Sequence, residues 1–257
     1  MAREHHLEEL RSRFEAEQGF WNESWQKVLE ADPDFFATFI ELAGVPWRNG
    51  ALEPKFKEFV HITVAGAATH LYEPGVRLHI RRALELGATR EEIVEVLQLT
   101  ATLGIHACNI GVPTMIAAFR EAGEPIDEGP LSERQRELKS AFERDRGYWH
   151  DFWDGLLRLD PDFFAAYLDL SSFPWRRGVL APKAKEMIYI AFDAAATHMF
   201  MPGLKLHIEN AIGYGATPQE IIEVLEIAST LGIHALATAI PILDQELARA
   251  EGRAVDG

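Results

Sequence analysis

The sequence predicts an all-α protein built as two tandem copies of one helical unit, and three observations carry this. The first is a repeat at a constant offset of 128 residues (149 − 21, 198 − 70, 234 − 106), gap-free from Phe14 to Met115, with 48 of those 102 positions identical. The second is that helix-start signals recur at the same places in both copies. The third is an apolar spacing of three and four residues, with no sustained period-2 alternation between hairpin turns. The period is far too long for a solenoid, so the copies are expected to pack as a pseudo-dimer about an approximate two-fold axis.

Each element follows from local signals. Phe20-Trp21-x3-Trp25 returns as Tyr148-Trp149-x3-Trp153 and reads as core. Asp32 before Pro33 is an N-cap with proline at the first helical position, and Phe35, Phe36, Phe39 and Ile40 then form an apolar stripe. Asp160-Pro161-Asp162-Phe163-Phe164 repeats the start, and Pro46-Trp47-Arg48 returns as Pro174-Trp175-Arg176. Further helices are expected over about 54–70, 74–87 and 106–120, with partners 128 residues later. Thr89-x-x-Glu92 and Thr217-Pro218-x-Glu220 fit the capping box. Ile93, Val96, Leu97 and Thr100 continue the first at helical spacing; Ile221, Val224, Leu225 and Ala228 continue the second. The boundary falls in Glu121–Pro130, which holds two Gly, two Pro and four acids. The units are therefore placed at 1–122 and 131–257, joined by a 123–130 linker, each long enough for a core of its own.

Composition narrows the function. Net charge is −15, and both halves share it: residues 1–128 carry 12 basic against 21 acidic side chains, the rest 13 against 19. Neither half has the basic footprint of a nucleic-acid or anionic-membrane binder. The single cysteine, Cys108, excludes an internal disulfide or a CxxC pair and points to a reducing compartment. The most apolar stretch, Val224–Leu243, contains Glu226 and His234 and is expected to be a buried helix. No basic stretch followed by an apolar run opens the sequence, so no signal peptide is read and a cytoplasmic protein is expected.

The repeat sorts the ten histidines. His61 stands opposite Tyr189, His150 opposite Asn22, and His5 and His6 lie outside the repeat. Three matched pairs remain, His70/His198, His79/His207 and His106/His234, together with Glu58/Glu186 in Lys-x-Lys-Glu at the start of an apolar helix. Histidines in apolar helices are commonly satisfied core residues, and duplication alone preserves pairs. Three such pairs plus a carboxylate nevertheless make a candidate acid–base set.

Lys-x-Lys-Glu58, an Ala-rich helix, His79-x3-Ala83-x3-Gly87-Ala88-Thr89-x-x-Glu92-Ile93-x-Glu95-Val96-Leu97 and Gly104-x-x-Ala107 resemble the carboxymuconolactone decarboxylase family, which includes the alkylhydroperoxidase-D-like proteins. The second half repeats the pattern from Lys-x-Lys-Glu186 and His207 to Leu225, so the resemblance covers about 50–115 and 178–243. It implies an all-helical fold, a homo-oligomer (a trimer of two-repeat chains is one form) and active sites between helices near subunit contacts. Peroxidase-type members carry Cys-x-x-Cys just before this histidine. Neither Thr69–His79 nor Thr197–His207 contains cysteine, which excludes disulfide-based peroxide reduction. The cysteine-free branch implies a decarboxylase or lyase of aromatic-compound catabolism. Loss of CO2 from a carboxylated lactone needs a donor at the developing oxyanion and an acid to reprotonate carbon.

On this reading His79 and His207 are general acid/base. His70, His106, His198 and His234 orient the small-molecule substrate or hold the oxyanion, and Glu58 and Glu186 fix the tautomer of the neighbouring imidazole. Arg77 and Lys205, equivalent cations, are candidates for a substrate carboxylate; Tyr72, Trp47 and Trp175 are candidate pocket residues. No cofactor is required. Two rivals remain. His70, His79 and His106 converge on a divalent metal for hydrolytic or Lewis-acid chemistry, or the protein is a non-catalytic binder of a small hydrophobic ligand.

Overall fold

Asp32 and Asp160 each accept the backbone N–H three residues on at 2.9 Å, with proline at the next position, so the third helix of each unit begins where the sequence places it. Thr89 and Thr217 close complete capping boxes with Glu92 and Glu220. The computed structural model describes residues 2–127 and 129–252, and among them it contains fourteen α-helices and no strand. The first unit comprises α1 (Ala2–Gln18), α2 (Glu23–Ala31), α3 (Pro33–Asn49), α4 (Pro54–Gly66), α5 (Glu73–Glu85), α6 (Arg90–Thr100) and α7 (His106–Glu121). The second comprises α8 (Glu133–Arg146), α9 (Phe152–Leu159), α10 (Pro161–Arg177), α11 (Pro182–Ala194), α12 (Met201–Gly213), α13 (Pro218–Ser229) and α14 (His234–Ala250). A short 3₁₀ turn precedes α7 (Ala101–Ile105) and α14 (Thr230–Ile233). The expected 123–130 linker lies between Glu121 and Glu133; its Glu128, and the ends of the two units at Met1 and beyond Gly252, lie outside the described residues.

The helix expected over 54–70 ends early. α4 stops at Gly66, and the chain turns back so that Tyr72 N–H donates to Ala65 O at 2.8 Å; Phe200 N–H makes the same bond to Asp193 O. Leu71 (φ 46°) and Met199 (φ 54°) sit in the left-handed region in this turn, a costly conformation for a side-chain-bearing residue. His70 and His198 therefore lie on a strained turn rather than within a helix.

The expectation of a separate core in each unit is not met. Every buried apolar cluster draws on both units: Val60 and Val64 pack with Met187, Ile190 and Ile227, and Phe59 and Ile62 with Ile188 and Phe192. Ile105 joins Phe142 and Trp153, while Ile233 and Ala237 join Phe14, Trp25 and Phe36. α4 and α11 pack on each other at the centre, α7 crosses onto α9 and α14 onto α2. Cross-unit contacts come in such reciprocal pairs, as an approximate two-fold relation requires. The physical reason is that α7 and α14 bury only one narrow stripe, whose surface is completed by the other unit. The outer half of α14 is also not the buried helix expected for Val224–Leu243: α13 is in the core, but Ile242 and Leu243 are exposed. The runs Arg90–Glu121 and Pro218–Ala250 are long and apolar enough to cross a membrane by composition; in this fold their first halves are core helices.

Two buried ion pairs clamp the units. Lys57 Nζ lies 2.8 Å from Glu223 Oε1 and donates to Pro46 O at 2.6 Å, while Glu223 Oε2 accepts from Ala51 N and Leu52 N at 2.6 and 2.9 Å. Lys185, Glu95, Pro174, Val179 and Leu180 repeat the arrangement. A Cβ at Gly50 would stand 2.0 Å from the Glu223 carboxylate, so only glycine lets the chain approach so closely.

Candidate active site

Proline at N1 starts α4 and α11, and the inward faces of these helices bury Glu58 and Glu186 almost completely. α5 and α12 lie alongside and present His79 and His207. His79 Nδ1 is 2.7 Å from Glu58 Oε2, and His207 Nδ1 is 2.6 Å from Glu186 Oε2. Each unit thus holds one carboxylate–imidazole dyad, with Nε2 as the ring nitrogen left free. Arg82 Nε stands 3.8 Å behind Glu58; in the second unit Asn210 occupies that position and donates to Glu186 at 3.3 Å.

The remaining histidines pair across the units. His70 Nε2 and His234 Nδ1 share a hydrogen bond at 2.8 Å, and His106 Nδ1 and His198 Nε2 at 2.6 Å. Tyr72 stacks on His234 with centroids 4.1 Å apart, and its counterpart Phe200 on His106 at 3.8 Å. Two cavities result. The first is lined by His61, His79, Trp47, Phe20 and Phe39 and closed by Ile233 and His234 from the second unit. The second is lined by His207, Tyr148, Tyr167, Tyr189 and Arg146 and closed by Ile105 and His106 from the first. Each site is therefore composite.

Electrostatics follow burial. Desolvation, reinforced by Arg82, pushes His79 down to about 3, so its imidazole is neutral. Burial, then neighbouring histidines, brings His106 and His234 to about 3 as well. His70 and His198 are lowered by burial alone. Desolvation raises Glu58 to about 7 against the opposing pull of His61 and Arg82. Asp193 rises to about 9, through burial and then the Glu186 charge.

Several sequence-derived placements need correction. Arg77 and Lys205 do not face the cavities: their side chains are 68% and 81% exposed and pair with Glu73 and Glu209 along their own helices. Charge at equivalent positions suggested them, but the i,i+4 partner explains them better. His70, His79 and His106 do not converge either, because His106 belongs to the second cavity and meets His198. Among the described residues, the three donors the fold does bring together are His106, His198 and Asp193, with ligand atoms within 4.8 Å of one another. Trp47 lines the first cavity, whereas Trp175 stands behind Tyr189 and donates to its hydroxyl at 3.2 Å.

The sequence reading also missed residues. His61 stacks on His79 at 4.2 Å and Tyr189 on His207 at 4.4 Å; the repeat had set this pair aside because its members differ. The available signal was spacing, since His61 lies three residues after Glu58 on the same helix face. Arg146, Tyr148, Tyr167 and Asp193 were missed for the same reason, standing opposite Gln18, Phe20, Phe39 and Ala65.

A duplicated all-α chain with a buried Glu–His dyad in each half is the class this fold and site define. The model of the carboxymuconolactone decarboxylase family matches residues 33–124 and 161–245, and the chain belongs to that family. A crystal structure from Burkholderia xenovorans LB400, of a protein described without established activity as a gamma-carboxymuconolactone decarboxylase subunit, is 48% identical in sequence. The alignment covers 95% of this chain and 98% of that one, with a TM-score of 0.92. No curated protein matches the sequence.

Proposed function

We propose that the protein is a carboxymuconolactone-decarboxylase-like enzyme that removes CO2 from a small carboxylated lactone, or a related product of aromatic-compound breakdown, by histidine acid–base chemistry without redox cysteines. The observation that carries this is the pair of buried Glu–His dyads, each opening on a cavity completed by a histidine of the other unit. When Glu58 is ionised, His79 donates its Nδ1 proton to it and Nε2 is an acceptor. When Glu58 holds a proton, it donates to Nδ1 and Nε2–H becomes a donor. With Glu58 raised to about 7, the dyad exchanges between these forms near neutral pH without forming an imidazolium.

The C–C bond to the carboxylate breaks with its electron pair left on the substrate as an enolate. The enolate oxygen accepts a hydrogen bond from the cross-unit histidine pair, and Nε2–H returns a proton to carbon. CO2 leaves, and the dyad recovers its proton from water. This chemistry calls for no cofactor.

The test is loss of lactone absorbance in the wild type and in His79→Gln with His207→Gln. Glutamine keeps a hydrogen bond to the buried glutamate but does not titrate. Turnover should fall by about two to four orders of magnitude, the range general acid–base catalysis supplies. A folded double variant with normal turnover refutes the reading.

A metal-dependent reading is favoured only by the His106–His198–Asp193 group, and metal analysis of untagged protein decides it. A homo-oligomer belongs to the proposal too, because α7 exposes Ile110, Met115 and Phe119, and α14 exposes Ile242, Leu243 and Leu247.

A further inference from the structure

The two cavities carry different charge. The first has no permanently charged side chain in its lining: Gln18, Phe20, Phe39 and His61 surround the space beside His79. In the second, the equivalent positions hold Arg146, Tyr148, Tyr167 and Tyr189. The cation near the dyad has changed sides. Arg82 stands behind Glu58 in the first unit, whereas the second has Asn210 there and Arg146 on the cavity side.

Arg146 is 4% exposed. Aromatic rings cover its guanidinium, with the centroids of Trp175 at 5.3 Å, Tyr189 at 5.4 Å and Tyr148 at 5.7 Å. Ring faces stabilise the cation but do not use its N–H edge. Its Nε has no hydrogen-bond partner, and no carboxylate lies within ion-pair distance among the described residues. The nearby acid is committed elsewhere: Glu186 is bonded to His207 and Asn210. A buried cation with an unpaired donor edge is costly to keep unless something anionic meets it.

The geometry points to a carboxylate-binding subsite in the second cavity, in which Arg146 grips a small, unsaturated monocarboxylate and the hydroxyls of Tyr148 and Tyr167 border it. Arginine's planar fork meets a carboxylate through two parallel N–H bonds. Preference for an unsaturated ligand follows from the aromatic lining of Tyr189, Phe152 and Phe200. This deepens the decarboxylase reading and rests on it only for turnover, because binding is measured separately.

The experiment is calorimetric titration of the full chain with benzoate and with its neutral analogue benzamide. Wild type should bind one benzoate per chain at least tenfold more tightly than benzamide. Arg146→Gln installs the residue the first unit already holds at this place; it should weaken benzoate at least tenfold and leave benzamide within twofold. Lys205→Ala, on the exposed face of α12, should change neither. If Arg146→Gln does not fold, Arg146→Lys decides: a fivefold loss of benzoate affinity supports the subsite, and unchanged affinity overturns it. Absence of benzoate binding to wild type, or a folded Arg146→Gln with wild-type affinity, also overturns it. Benzoate binding that depends on Arg146, in a protein inert toward every carboxylated lactone, refutes the decarboxylase reading and leaves the subsite standing. Normal lactone turnover with benzoate binding independent of Arg146 does the reverse.

Discussion

Replacing Lys57 by methionine removes the charge from one cross-unit clamp while keeping an apolar stem of similar length. Glu223 is fully buried, and after the change it keeps two backbone donors, Ala51 N and Leu52 N, but loses its counter-ion at 2.8 Å; Pro46 O also loses its donor. Removing one partner of a buried pair strands the other and costs about 3–5 kcal/mol. For a protein of this size each kcal/mol corresponds to about 2–4 °C, so Tm should fall by about 6–20 °C. Because Glu58 follows Lys57 on α4, loosening the clamp should also disturb the Glu58–His79 bond and depress turnover at the first site more than at the second.

Urea unfolding of Lys57→Met, Glu223→Gln and the double variant measures the coupling. The double variant should be less destabilised than the sum of the singles, by at least about 1 kcal/mol for groups in one network, because it leaves no stranded charge. Lys57→Met within 0.5 kcal/mol of wild type (roughly the usual range of surface changes), or a coupling energy near zero, refutes the clamp.

Two further outcomes follow. Cys108 packs among the apolar residues around Phe142 and is not among the residues lining either cavity, so Cys108→Ser should leave lactone turnover within about threefold; a loss of a hundredfold or more in folded protein makes Cys108 catalytic and the cysteine-free chemistry wrong. Stability should depend on pH with a definite sign: His61, His70, His79, His106, His198 and His234 have folded pKa values below 6.5, so the unfolded chain binds more protons and stability is lost as pH falls below 6.5. Glu58 and Asp193 are raised to about 7 and about 9, so their contribution is present at low pH and is lost as pH rises through those values. Six histidines outweigh two carboxyls, and Tm followed by circular dichroism should peak near pH 7, drop by about 10 °C or more toward pH 5 and decline gently toward pH 9; a flat profile between pH 5 and 7 contradicts the buried neutral histidines.

What could be read in the sequence was local or duplicated. Asp32-Pro33 and Thr89-x-x-Glu92 fix helix starts within one turn of chain, so their caps appear as expected. His79 and Glu58 were picked out because both copies repeat them, and their spacing allows adjacent helices to bring them together. Hidden were the relations that depend on the chain's long-range path. Nothing near His106 says that α7 crosses to α9, so its partner proved to be His198 rather than His70. The clamp residues Lys57, Glu95, Lys185 and Glu223 stood inside the quoted motifs without a role, because each pairs with a residue in the other half. Equivalence between the copies also misled in one respect. It directed attention to Arg77 and Lys205, which match but face solvent, and away from Gln18 and Arg146, which differ and face the cavities.

That difference shows what fusing two copies makes possible. Each cavity is walled by one unit and closed by the other through the residues around Ile105–His106 or Ile233–His234. In a symmetric homodimer of a single unit, a Gln-to-Arg change at the end of the first helix would place a buried cation in both cavities at once. Its desolvation would then be incurred twice, including where no anion binds. In the fused chain the two positions mutate independently, so Arg146 with its tyrosines can serve one site while Gln18, bonded to Ala43 O at 3.2 Å, keeps the other free of charge. The shared core and the two clamps hold both dyads in one body, which lets the linings diverge without moving the dyad histidines. The single-site variants His79→Gln and His207→Gln should therefore not each retain half of the activity on one substrate. Measured on a carboxylated lactone, His207→Gln should be the more damaging, because its cavity is the one that holds the arginine; equal losses would mean that the two linings differ without consequence for the ligand.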